Sequence, residues 1–285
     1  MVMASRLGIK KTYKLFIGGK FPRTESGRFL AFEDSEGEFL ANVSWGSKKD
    51  LRNAVVVARK AQGGWAGSSA YLKGQILYRI AEVLEGRRSQ FEEELVRQGR
   101  TGEAAVREVE KAIDLLVYYA GWSDKYSALF STVNPVASSH FNFSIPEPMG
   151  VVGLLAPKCS GLLGLVSVIA PAIVGGNSVV VFASEKYPLT GISFAEVLVT
   201  SDVPAGVVNI LTGIREELQV PFASHMDINA LVLCGLKPAA LKEVELEAAE
   251  NLKRVTKHPD KVLAASPYLI LDLQETKTTW HPVGV

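Results

Sequence analysis

Apolar and polar positions change period several times along the chain, and each change marks an element. From Lys14 to Ser44 the residues alternate, with turns at Gly18-Gly19 and at Ser35-Glu36-Gly37, which predicts a short ribbon of strands. Ser47 followed by Asp50 three residues on is a helix-start signal, and the helix it opens ends near Trp65. Ile76, Leu77, Ile80, Ala81, Val83 and Leu84 then form an amphipathic stripe, predicting a helix over 71–86. A third helix is expected over 89–98, carrying Phe91, Leu95 and Val96. A fourth spans 102–126, carrying Val106, Val109, Ile113, Leu116, Val117, Tyr119 and Ala120. Tyr118, Tyr119 and Trp122 fall at helical spacing, so they read as core packing rather than as an aromatic cage. Strict alternation returns from His140 to Ile145, with Phe141, Phe143 and Ile145 on one face; His140 reads as an exposed strand residue.

Beyond Glu147 the pattern changes in kind. VVGLLAP, NSVVVFA and VVNIL are strand-like, largely apolar runs, separated by helices at about 161–174 and 190–200. Two successive βα crossovers predict an α/β fold with a doubly wound parallel sheet. Val244, Leu246, Ala249, Leu252 and Val255 suggest one more helix, ending near the turn His258-Pro259-Asp260. The division that results is 1–134 with 147–265 as the sheet domain, 135–146 as an arm, and 266–285 as a tail strand.

Composition narrows the function. With 285 residues and 47% hydrophobic content the chain can bury a full core. A net charge of +1 leaves no electrostatic footprint for nucleic acid or an anionic membrane surface, so neither is expected as a partner. The longest apolar stretch, Gly161 to Val174, is too short to span a bilayer and contains Pro171. The start, MVMASRLGIKKTYK, lacks the apolar core and cleavage site of a secretion signal, so a cytoplasmic protein is expected. Cys159 and Cys234 are too few for a disulfide framework and lack metal-ligand spacing, so no metal site is predicted.

Residues 147–213 also carry a resemblance. Pro157, Gly176, Asn177, Val179, Val180, Glu185, Pro188, Leu189, Thr190, Pro204, Gly206, Val207, Val208, Asn209, Leu211 and Gly213 follow, in order, a pattern of the aldehyde dehydrogenases. There a strand ending Pro-Trp-Asn-Phe-Pro precedes Gly-Asn-Thr-Val-Val-Leu-Lys-Pro-x-Glu, Pro-Leu-Thr and Pro-x-Gly-Val-Val-Asn-Val-Leu-x-Gly. EVEKAIDLLVYYAGWSDK resembles the helix leading to Tyr-Tyr-Ala-Gly-Trp-Ala-Asp-Lys, and SHMDINALVLCGLKPA resembles His-Pro-x-Ile-x-x-Ile-x-Phe-Thr-Gly-Ser-Thr. LQETKTTW is similar to the family's C-terminal association strand. The resemblance implies a nucleotide-binding domain with a β-hairpin association arm and a C-terminal association strand.

The departures matter as much as the matches. Lys158, Cys159, Ser160 and Gly161 replace Trp-Asn-Phe-Pro, whose Asn donates to the oxyanion in the family, and losing such a donor costs about 2.7–4 kcal/mol of transition-state stabilisation. Phe182 stands where the cofactor-binding lysine would be. Neither the Glu-Leu-Gly-Gly-Lys that supplies the base nor the Gly-Gln-x-Cys that supplies the nucleophile occurs, which leaves no catalytic residue to nominate and the catalytic domain missing. Cys159, following Lys158 near a helix start, could have its thiol pKa lowered, but an idle thiol is the better reading.

As implied by the resemblance, Pro157, Glu185 and Gly235 would be the vestigial cofactor residues, Glu185 at the adenosine ribose, although Glu185 also fits a solvated loop carboxylate. No cofactor is expected, and NAD or NADP would be the one bound if the site were retained. The pattern resembles the degenerate C-terminal half of the two-module, family-sixteen aldehyde dehydrogenases. It implies a scaffold or oligomerisation module, forming a homo-oligomer or pairing with an aldehyde dehydrogenase module through Phe141, Phe143, Thr276, Thr278 and Trp280. Two alternatives stay open. One is an NAD(P)-dependent aldehyde oxidoreductase completed by a catalytic domain of another chain; the other is a dinucleotide sensor with a pocket lined by Pro157, Phe182, Glu185 and Gly235.

Overall fold

A computed structural model describes residues 9–34 and 36–284. Most of the stretch read for a secretion signal, and Ser35 of the second predicted turn, lie outside the described residues. The opening ribbon is β1 (Thr12–Tyr13), β2 (Phe29–Glu33) and β3 (Phe39–Ser44), in which β3 pairs parallel with β1 and antiparallel with β2. Gly18 and Gly19 both take positive φ, 61° and 74°, where a side chain would be strained, so the predicted turn forms. Helix α1 (Lys48–Ala66) starts on the full capping box that Ser47 and Asp50 foreshadow. The Asp50 carboxylate also accepts from Thr24 Oγ1 at 2.6 Å, which satisfies it in the interior.

Helices α2 (Ala70–Gly86), α3 (Arg88–Arg97) and α4 (Gly102–Ala120) follow close to expectation, with one correction. The fourth helix does not run to Tyr126. It stops at Ala120, the chain turns through residues 121–124, and a separate α5 (Lys125–Phe130) begins. The turn brings Ser123 against α2 so closely that a Cβ on Gly74 would lie 2.5 Å from its Oγ. Tyr119 is fully buried, packs edge-on against Tyr118 at 5.1 Å, and donates its hydroxyl to the Ser266 carbonyl at 3.2 Å, which makes it a core residue.

After β4 (Thr132–Asn134) and β5 (His140–Pro148) comes the parallel sheet. Its strands are β6 (Val151–Leu155), β7 (Ser178–Phe182), β8 (Val208–Leu211), β9 (Ala230–Cys234) and β10 (Arg254–His258), in spatial order β10-β9-β6-β7-β8. Helices α6 (Leu162–Val174) and α7 (Pro188–Val199) cover one face; α1, α8 (Arg215–Ser224) and α9 (Pro238–Ala249) cover the other. Every residue of β6 to β9 is buried, which is why their sequences are near-continuous apolar runs rather than alternating ones.

β10 is a second correction. The helix expected to continue through Val255 ends at Ala249. Leu252 takes φ 55°, and residues 254–258 form a fifth parallel strand beside β9. After a short α10 (Tyr268–Leu271), β11 (Gln274–Pro282) pairs antiparallel with β5 along nine residues, giving a second sheet of order β11-β5-β4. Asn177 fastens this tail to the core. Its Oδ1 accepts from Gly150 N–H at 3.0 Å, and its Nδ2 donates to the carbonyls of Ala172 and Leu273 at 3.2 and 3.0 Å.

Candidate functional site

The order of the large sheet locates the crevice. From β6 the chain adds β7 and β8 on one side, then returns to add β9 and β10 on the other, so the topological switch point lies between β6 and β9. In open α/β sheets ligands bind outside the carboxyl ends of the strands at such a point. Here that position is filled by the protein itself. Arg215, the first residue of α8, is 1% exposed, and its guanidinium donates to the Cys234 carbonyl at the end of β9 (2.9 Å) and to the Ala156 carbonyl just past β6. Its Nε has no partner among the described residues, and burial lowers its pKa.

Several backbone donors around the crevice are also taken by carboxylates of this chain. Asp260 Oδ1 accepts from the N–H groups of Lys158 (2.6 Å) and Cys159 (3.3 Å). Glu108 Oε1 accepts from Leu162 N–H, the first of α6, at 2.9 Å and from Ser160 Oγ at 2.8 Å, while its Oε2 pairs with Arg100 at 2.8 Å. Glu185 accepts from Arg215 N–H, at the start of α8, at 2.6 Å and pairs with Lys158 Nζ at 2.5 Å. Helix N-termini favour anions because their first N–H groups lack internal partners. At α6 and α8 the first of those groups already has an anion.

The sequence-predicted residues are only partly gathered. Glu185 sits in this network, joined to Lys158 and Arg215 rather than standing free in solvent. Gly235, with φ 70°, lines a cavity of about 270 Å³ together with Lys158, Arg215, Glu216, Leu236 and Lys237. A Cβ on Gly235 would lie 2.8 Å from that of Asp260, so the loop after β9 and the loop after β10 touch there. Pro157 is buried against the Gly164 turn of α6, outside that cavity. Phe182 is fully buried and belongs to the core on the α1 and α8 face.

The thiols are not activated. Cys159 has its pKa raised, first by burial and then by the Asp260 carboxylate, against a smaller pull from Arg100. That reverses the lowering its neighbour Lys158 suggested, because the lysine ammonium is turned to Glu185. Burial pushes the Cys234 thiol up to about 12. Sequence reasoning missed Arg215, Asp260 and Glu108, whose roles arise only when elements far apart in the chain meet.

Residues 21–258 match the aldehyde dehydrogenase family model. Benzaldehyde dehydrogenase of Antirrhinum majus is 32% identical over 85% of this chain and 46% of its own length. Human aldehyde dehydrogenase 1A1 is 34% identical over 90% of this chain and 51% of its own. The NAD+ complex of the aldehyde dehydrogenase from Bacillus cereus superposes with a TM-score of 0.82 at 25% identity, covering 87% of this chain and 51% of that one. The chain thus spans about half the length of the curated relatives it matches. No helix among the described residues is long and apolar enough to cross a membrane. With the parallel sheet, its crossovers and the family match in agreement, the chain belongs to the aldehyde dehydrogenase family.

Proposed function

We propose that this chain works as a non-catalytic aldehyde dehydrogenase-like assembly module, akin to the degenerate half of a two-module member of the family. The observation that carries this reading is the edge of the small sheet. β11 pairs on one side with β5, and no strand among the described residues pairs with its other side. Nine residues in extended conformation offer an edge about 30 Å long for strand addition. A charged lysine often blunts such edges, yet Lys277 is paired with Glu147 of β5 at 2.9 Å. Phe141 and Trp280 stand exposed beside the edge, and Phe141 stacks on Phe143 at 5.6 Å to form a small aromatic patch.

The chemistry supports the non-catalytic half of the reading. Thiohemiacetal formation needs a thiolate, and burial raises the pKa of both thiols in the chain. The partner is a second copy of the chain or a full aldehyde dehydrogenase module, engaged through Phe141, Phe143, Thr276, Thr278 and Trp280. Sedimentation equilibrium tests this. The wild-type chain, alone or mixed with an active aldehyde dehydrogenase module, is expected to run above its monomer mass of 30.8 kDa. A Phe141→Ala, Trp280→Ala variant is expected to revert towards the monomer. A wild-type monomer at high concentration that also ignores the active module contradicts the proposal.

A further inference from the structure

We propose that Arg215 and Asp260 form an internal latch that occupies the nucleotide crevice of this chain, and that a dinucleotide enters only when the latch is removed. The two residues stand on either side of the switch point. Arg215 reaches across the carboxyl ends of β6 and β9 from α8, and Asp260 returns from the loop after β10 to take two successive N–H groups of the loop after β6.

Each imitates part of a ligand. The single Asp260 oxygen bridging Lys158 and Cys159 N–H takes two successive backbone donors that an incoming anion would otherwise use, and the Asp260 side-chain carbons lie against Gly235, whose lack of a side chain lets the two loops meet. The guanidinium fills the space between the strand ends with a planar group that bonds only to carbonyls of those strands. What remains open is the cavity of about 270 Å³. Sites for small-molecule ligands hold about 300–1,000 Å³, so this opening falls below the range.

The arginine is not fully satisfied in this place. Its buried Nε has no partner among the described residues, and an unpaired buried donor carries a desolvation cost. Its two carbonyl bonds and the neighbouring Glu185 and Asp260 carboxylates hold it across the strand ends in spite of that cost. The latch is independent of the assembly reading and stands even if the chain is a monomer.

Calorimetry with NAD and with NADP on the wild-type chain, Arg215→Ala, Asp260→Ala and the double variant tests the latch, with circular dichroism establishing that each variant is folded. The wild type is expected to show no binding at millimolar concentration, and the folded double variant to bind at least about tenfold tighter than the wild type. Sub-millimolar binding by the wild type overturns the proposal, and so does a folded double variant that binds no better. If the double variant does not fold, Asp260→Ala decides by the same titration: it frees the Lys158 and Cys159 N–H groups and is expected to bind NAD or NADP at least about tenfold tighter than the wild type, and a folded Asp260→Ala that binds no better overturns the latch.

Discussion

The two sheets of this protein use the same backbone geometry to opposite ends. In the five-stranded sheet every residue of β6 to β9 is buried and helices cover both faces. In the three-stranded sheet β5 and β11 are exposed or half-buried along most of their length, and β11 leaves one edge unpaired among the described residues. The first sheet has closed over its own ligand position with Arg215 and Asp260; the second presents backbone groups to whatever arrives. The lesson is that a family fold can keep its core while internal contacts fill the strand ends, so that on the proposed reading the edge is the part left to act.

The contrast breaks most visibly under core truncation. Phe182→Ala empties a fully buried ring site and is expected to cost about 3–5 kcal/mol in denaturant unfolding. Phe141→Ala is expected to stay within about 0.5 kcal/mol for the unassociated chain, since its ring is already 46% exposed. Equal costs at the two sites would mean the arm is core after all.

The joint between the sheets is the next point to probe. Asn177→Ala removes three hydrogen bonds that tie the end of α6 and the start of the tail to the turn before β6. Leaving those buried groups unpaired is expected to cost about 2–3 kcal/mol, measured by thermal or urea unfolding, and to loosen β11 in hydrogen exchange. A loss below that with an unchanged tail would show that Asn177 is not what holds β11, leaving β5, Arg254 and the Gln274 side chain to do so.

A smaller, pH-dependent effect is expected beside β10. Burial lowers the Lys253 pKa to about 8 from 10.5. Between those values the unfolded chain holds a proton the folded chain has released, so stability rises with pH through that window. The cost of the buried charge is present in full below about pH 8. Lys253→Met is therefore expected to raise the melting temperature at pH 7 and to narrow that gain by pH 10. A gain independent of pH would assign the effect to packing.

How much of this was legible depends on where each signal lies. The parallel strands could be read because burial on both faces leaves continuous apolar runs such as Val179-Val180-Val181. The start of α1 could be read because its cap is local. β10 could not: it lies at the edge, carries Arg254, Lys257 and His258, and is set off from α9 only by the left-handed turn at Leu252. The break after Ala120 escaped because apolar spacing continues across it through Trp122 and Tyr126, while the turn is fixed by packing on α2. The candidate site was legible as a set of departures, Phe182 and Lys158 to Gly161 among them. Its occupants were not, since Arg215 and Asp260 look like ordinary surface charges until α8, β6, β9 and the loop after β10 come together.

Closed crevice and open edge can be tested together by amide hydrogen exchange of the wild-type chain across a concentration series. The account predicts that amides of β11 become protected as concentration rises, or on addition of an active aldehyde dehydrogenase module, while those of β6 and β9 stay protected throughout and do not respond to NAD. Exchange in β11 that is indifferent to concentration and partner, with new protection at the ends of β6 and β9 when NAD is added, would contradict it.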